Sequence, residues 1–247
     1  MRLRLVELIV VAVLLAGATG VALPAVYQAG KKSDRNEALN NLKQLAIAVH
    51  CAHDVYNKFP QIAGKLGDKE GTLHFHLLPF LEQTPLYKRG EVNVALPIMT
   101  SPGDRSAVAT GVYKKSFGVT NYAGNWLVFK GGPQAPEYGK ITQIVDGTSN
   151  TLMLAERYQM CNGTPCLWGY NQFFYWAPMF AYYSQGKFQV APTQERCDPA
   201  LPQSILRDGI AVAYCDGSTR VLANNLDPNV WALIACPNDG MPIPGDF

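Results

Sequence analysis

Hydrophobic and polar positions divide the chain into two unlike regions. From Leu8 to Ala29 no residue is charged, and at about 1.5 Å per residue these 22 positions extend roughly 33 Å, enough to cross a hydrocarbon core. Polar residues then cluster from Lys31 to Glu37. After them Ala38, Leu42, Leu45, Val49, Ala52 and Tyr56 recur at alternating spacings of four and three, the apolar stripe of an amphipathic helix. The pattern predicts one helical rod from Leu3 to Asn57, roughly 80 Å long, greasy all round in its first half and one-faced in its second. Pro24 lacks a backbone donor and is expected to kink or loosen the rod without ending it, because helical patterning resumes beyond it.

A cleaved secretory signal competes with a retained transmembrane helix. Met1 to Arg4 supplies a basic start, and Ala16-Gly17-Ala18 offers small residues for cleavage before Thr19. Against it, Glu7 interrupts the apolar run and the run continues past the cut through Val21, Leu23 and Val26.

Beyond the rod the periodicity shortens. Ile210 to Tyr214 and Thr219 to Leu222 flank Asp216-Gly217, which favours the positive backbone angles of a tight hairpin. Asp146-Gly147 before Thr151 to Ala155 predicts a second strand entry. Asp227 followed by Pro228 reads as the cap and first position of a short helix through Ala235. Lys130 to Gly139 and Pro237 to Gly245 carry the Gly and Pro of loops. The expected class is α+β, with a long N-terminal helix over residues 1–57 packed on the antiparallel sheet of a globular domain over 58–247.

Composition sharpens this division. The chain of 247 residues is 48% hydrophobic and 16% charged with a net charge of +2, which excludes a disordered chain and a strongly basic nucleic-acid binder. Only Arg2, Arg4 and Glu7 are charged in the first 30 residues, so nearly all the charge belongs to the remainder. Arg2 and Arg4 precede the span while Lys31, Lys32, Arg35 and Lys43 follow it, so charge leaves orientation open. The six cysteines favour disulfides in an extracytoplasmic domain. Cys161 and Cys166 enclose Asn-Gly-Thr-Pro, a tight loop that suggests they bridge one another.

Several short segments carry a resemblance. Leu5 to Val11 with Glu7 inside it, and Pro24 downstream, resemble the N-terminal helix of type IV pilins and type II secretion pseudopilins. Asn40 to Leu45, His53-Asp54, Phe59-Pro60, Leu77 to Gln83, Thr120-Asn121-Tyr122, Asp146 to Thr151, Asp216-Gly217-Ser218 and Trp231-Ala232-Leu233 are similar to a pilin-like branch called domain of unknown function 1559. The resemblance implies a subunit that assembles through its N-terminal helix into a filament or secretion pseudopilus, its globular domain outside the cytoplasmic membrane. Glu7 would then pair with the Leu3 amine of a neighbouring subunit, the alternative being Arg4 in its own helix. Two departures stand out. Arg2-Leu3-Arg4 replaces the usual Gly, Phe and Thr of the prepilin cleavage and methylation site, and Ser101-Pro102-Gly103-Asp104 replaces a Cys-Pro-Ser-Asp segment.

Candidate chemistry is sparse. His50 and His53 lie three apart on the helix, and His74 and His76 alternate on a probable strand; packing or hydrogen bonding is expected of all four, with no metal site. Asp146, Asp216, Asp227 and Asp239 sit in loop-like surroundings where calcium would find oxygen ligands, although Asp-Gly turns account for such residues equally. Trp168 to Tyr183 holds nine aromatic residues. Trp168, Tyr170, Tyr175 and Trp176 are the candidates for a subunit or partner contact, with core packing and carbohydrate binding as alternatives. No phosphate loop, nucleophile elbow or His-Glu-x-x-His site is present, which points away from an enzyme. A membrane-anchored binder that does not assemble and uses residues 168–183 for a glycan or cell-surface partner is the second functional expectation.

Overall fold

The computed structural model describes residues 5–131, 139–172, 175–182 and 186–244, with side chains from residue 28 onward. Helix α1 runs without a break from Leu5 to Tyr56, passing through Pro24. It ends where Asn57 takes a positive φ of 53°, a conformation that turns the chain out of a helix. The expected stripe is its buried face: Ala38, Leu42, Leu45, Val49 and Ala52 are at most 1% exposed, joined by Ala46 and Ala48. Leu3 lies outside the described residues, as do the side chains of Glu7 and Pro24. Among the described residues no helix is long and apolar enough to cross a membrane; of the candidate span, only Gln28 and Ala29 have described side chains.

A hairpin follows, β1 (Ala63–Leu66) against β2 (Lys69–Thr72), leading into the short helix α2 (Leu73–Leu77). His74 and His76 therefore sit on a helix and not on the strand expected of them. Thr72 Oγ1 caps α2 by accepting from the Phe75 N–H at 3.0 Å, and Gly71 leaves room for the Phe75 ring, which a Cβ there would meet at 2.3 Å. Helix α3 spans Thr84–Arg89. The two-residue strands β3 (Val112–Tyr113) and β4 (Phe117–Gly118) form a second hairpin, and β5 (Tyr122–Asn125) runs directly into α4 (Trp126–Phe129).

The remaining strands are β6 (Leu152–Glu156), β7 (Met160–Cys161), β8 (Thr164–Pro165), β9 (Met179–Phe180), β10 (Gln189–Val190), β11 (Gln203–Ser204), β12 (Gly209–Tyr214) and β13 (Thr219–Ala223), before α5 (Pro228–Ala235). The central sheet has the order β13-β12-β6-β5-β9, antiparallel except for the parallel β5/β9 pair. The architecture is α+β, a long helix packed on a mostly antiparallel sheet. The β12/β13 hairpin and α5 fall where local patterning places them, with Asp227 accepting from Asn229 N–H at 2.7 Å as the helix cap.

Alternation along β12 explains why both sheet faces are covered. Ala211 and Ala213, with Cys215 beyond them, turn their small side chains toward α1, while Ile210, Val212 and Tyr214 pack on Val230, Trp231 and Ile234 on the other side. Small residues let the thick helix approach closely; large ones fill the space beneath the short one. Opposite them β6 carries a bulge: Ala213 faces Leu154 and Tyr214 faces Leu152, so Met153 is the extra residue. Met153 and Leu154 both point into the α1 layer.

One expected link is corrected. Cys161 is bonded to Cys197, 36 residues away, and Cys166 is a buried free thiol. The register places Thr164 opposite Cys161, and Cys166 lies further along, its N–H on the Gln159 carbonyl at 2.9 Å. Burial pushes its thiol pKa up to about 11. Among the described residues Cys51, Cys215 and Cys236 are also free.

Candidate functional site

The point where α1 leaves the domain is built from charge as well as apolar packing. Arg35 is 8% exposed, whereas residues 28–33 are exposed on every side of the helix. The Arg35 guanidinium donates to Glu156 Oε2 at 3.2 Å, to Asp208 Oδ1 at 2.5 Å and to the Gly209 carbonyl at 2.8 Å. Glu156, 1% exposed at the end of β6, also accepts from Ala211 N–H at 3.0 Å and Ser101 Oγ at 3.2 Å. Burial pushes the Glu156 carboxyl above its ordinary range, and Arg35 with these donors opposes the shift. Further along α1, Asn41 donates to the Thr100 carbonyl at 2.9 Å, and Lys43 Nζ to Gly217 in the β12/β13 turn at 2.7 Å. Three separate polar ties therefore fix the angle at which the helix emerges.

The loop whose Ser101 reaches Glu156 is itself held by a buried polar cluster. Asp104 accepts from Asn121 Nδ2 at 2.7 Å, from the Gln159 N–H at 3.1 Å and from Ser106 N–H at 2.8 Å. Asn121 Oδ1 in turn accepts from Ser101 N–H at 2.9 Å and Gln159 Nε2 at 3.0 Å. Arg157, beside Glu156, gathers four carbonyls: Ala177 and Met179 at 3.0 Å, Tyr175 and Pro199 at 2.7 Å. These side chains satisfy backbone groups of the loops and of the short strand β9. Arg35, Glu156 and Arg157 escaped the sequence reading; the charged pair closing the apolar run Thr151 to Ala155 was the available signal.

An open groove of about 560 Å³ runs beside this junction. Glu37, Asn41, Gln44 and Ile47 of α1 form one wall; Phe80 to Gln83 and Leu96 to Ile98 form the other. Ile47 is half exposed at 49%.

The histidines are packing groups. His74 is fully buried, and burial lowers its pKa to about 4. His76 bonds through Nε2 to the Gly64 carbonyl at 2.9 Å, and His53 Nε2 accepts from Ile141 N–H at 3.3 Å. The His53 ring lies 4.8 Å from Phe59, and His50 sits 6.4 Å from the same ring. Among the described residues no three His, Cys, Asp or Glu side chains converge as a metal set. The loop aspartates face backbone: Asp146 accepts from Asp239 N–H and Gly240 N–H at 2.8 and 2.9 Å, Asp216 from Ser218 N–H at 2.8 Å, and Asp239 from Met241 N–H at 2.8 Å.

The aromatic segment splits. Trp168 is not a surface residue: it is 0% exposed in the α1 core layer, with Nε1 donating to the Val94 carbonyl at 3.2 Å. Tyr170, Tyr175 and Trp176 are half-buried at the surface, Phe180 is core, and Phe173, Phe174 and Tyr183 lie outside the described residues.

Residues 35–98 and 88–229 match the sequence model of a family described as a protein of unknown function, domain of unknown function 1559. The matched part begins at Arg35, where α1 enters the domain. No curated protein and no solved structure matches the chain. Most of the chain being covered by that model, the protein belongs to the domain of unknown function 1559 family.

Proposed function

We propose that the chain is a pilin-like or pseudopilin-like subunit, anchored in the cytoplasmic membrane by the first half of α1 and assembled through that helix with its globular domain outside. The observation that carries this reading is the single continuous helix from Leu5 to Tyr56, which leaves its own domain at Arg35 and continues into sequence without a charge from Leu8 to Ala29. A helix that is apolar on all sides has no stable place in water alone; lipid or neighbouring helices must cover it. The Cys161–Cys197 bond supports an extracytoplasmic domain, since such bonds persist in oxidising compartments.

In this reading Glu7 is the residue that sets register between subunits, because an acid in an apolar helix needs a cation and the N-terminal amine of a neighbour supplies one. Glu7→Ala is expected to stay in the membrane fraction and lose assembly, read as the loss of cross-linked oligomers and of filaments in electron micrographs of the envelope. Wild-type filament yield from the variant would overturn the role of Glu7. Mass determination of the native N-terminus is the companion measurement: a methylated Leu3 supports assembly, and a start at Thr19 opposes it.

A further inference from the structure

Four half-buried rings form a row that belongs to none of the packed core clusters among the described residues. Phe117 and Tyr113 come from the β3/β4 hairpin, Tyr170 and Trp176 from the segment after β8. Phe117 meets Tyr170 edge-on with centroids 5.5 Å apart, Tyr170 lies 5.2 Å from Trp176, and Trp176 lies 6.4 Å from Tyr113. The row rests on buried Trp168: Gly118 lets the hairpin lie against that indole, which a Cβ would meet at 2.0 Å.

The row closes on the hairpin: Tyr113 and Phe117, its terminal rings, are partners across β3 and β4, and Lys114, Lys115 and Ser116 form the turn that joins them. In that turn Lys114 Nζ stands 5.1 Å from the Tyr113 ring centre, and Lys115 is exposed beside it. Both lysines hold positive φ, 47° and 60°, a conformation that residues with a Cβ seldom adopt and that a Gly would take freely. Beside Tyr170, in the middle of the row, Asn171 donates to Glu70 at 3.3 Å. Ring faces beside a cationic turn suit a sugar chain that carries acidic groups: the apolar faces of pyranose rings lie on aromatics, and carboxylates or sulfates meet the ammonium groups. A single-stranded nucleic acid fits less well, since its phosphates recur at every nucleotide and require a basic track, whereas this row is bordered by the two turn lysines and, beside Tyr170, by the Glu70 carboxylate.

We propose that this row binds an acidic polysaccharide, with Tyr113, Tyr170 and Trp176 under the sugar rings and Lys114 and Lys115 on the acidic groups. The site stands independently of whether the N-terminal helix assembles. The full-length chain, held in a polyoxyethylene detergent to avoid sugar head groups, is titrated with a galacturonate hexamer, maltohexaose and a dT oligonucleotide while tryptophan fluorescence is followed. Saturable galacturonate binding is expected, weakened by added salt and by at least about tenfold in Lys114→Gly/Lys115→Gly, with a similar loss in Trp176→Ala. The lysine double variant suits its backbone and keeps the wild-type melting temperature, so its loss of binding separates recognition from unfolding. Absent galacturonate binding, equal affinity for maltohexaose, tighter binding of the oligonucleotide, or galacturonate binding unchanged in both variants would each overturn the proposal.

Discussion

At the scale of the residue, His74 shows what complete burial does to a titratable group. The fold holds the imidazole neutral, because a hydrogen bond to the Tyr122 backbone does not repay the loss of water on charging, and its pKa falls from an ordinary 6.5 to about 4. The unfolded chain therefore binds a proton between those values that the folded chain refuses. Stability is fully present above about pH 6.5 and declines as pH falls toward 4, by roughly 3 kcal/mol for this group. Burial lowers the pKa of His76 and His50 as well, which adds to the same trend. Thermal midpoints of the wild type are expected to drop between pH 7 and 4.5, and His74→Leu is expected to drop less; parallel pH profiles would contradict this account. Histidine identity was readable in the sequence, but its environment was not: Thr72 capping α2 and Gly71 admitting Phe75 turn an apparent alternation into a helix.

At the scale of the element, the tie between α1 and the sheet rests on Arg35 with Glu156. Removing only the cation leaves an acid buried among Ala211, Ser101 and the sheet, so Arg35→Met should cost about 3–5 kcal/mol in chemical denaturation. Arg35→Met combined with Glu156→Gln should recover most of that loss, since the Gln carbonyl still accepts from Ala211 N–H. A double variant as unstable as the single one would place the destabilisation elsewhere. Elements defined by local signals were legible beforehand: the α1 stripe, the Asp-Gly hairpin, and the Asp227-Pro228 start of α5. What escaped was set by distant partners. The bulge at Met153 exists because two strands must both serve the α1 layer, and Cys197 lies too far from Cys161 in the sequence for spacing to suggest it. The two strongly charged residues that anchor the helix meet across 121 positions.

At the scale of the whole molecule, α1 has two separable parts. Every described side chain of the helix that is buried lies at Arg35 or beyond, so a chain beginning at Lys31 should keep the thermal midpoint within about 1 kcal/mol of stability and sediment as a monomer without detergent. Unfolding of that shortened chain would mean that the preceding turns support the domain. The same division limited the sequence reading of function. An apolar helix is conspicuous in any sequence, whereas the aromatic row is assembled from hairpin and loop residues some sixty positions apart, Tyr113 and Trp176 among them.

The contact between α1 and β12 also governs how the chain is made. The helix is synthesised first, yet its principal partner in the sheet begins at Gly209, so Leu42, Leu45 and Val49 stay only partly covered, by α2 and β6, until nearly all of the chain has emerged. Pairings this distant close slowly, and an apolar stripe exposed meanwhile invites aggregation. Chains that lack the β12/β13 hairpin are therefore expected to aggregate through the α1 stripe, and the refolding yield of the whole chain to fall as its concentration rises.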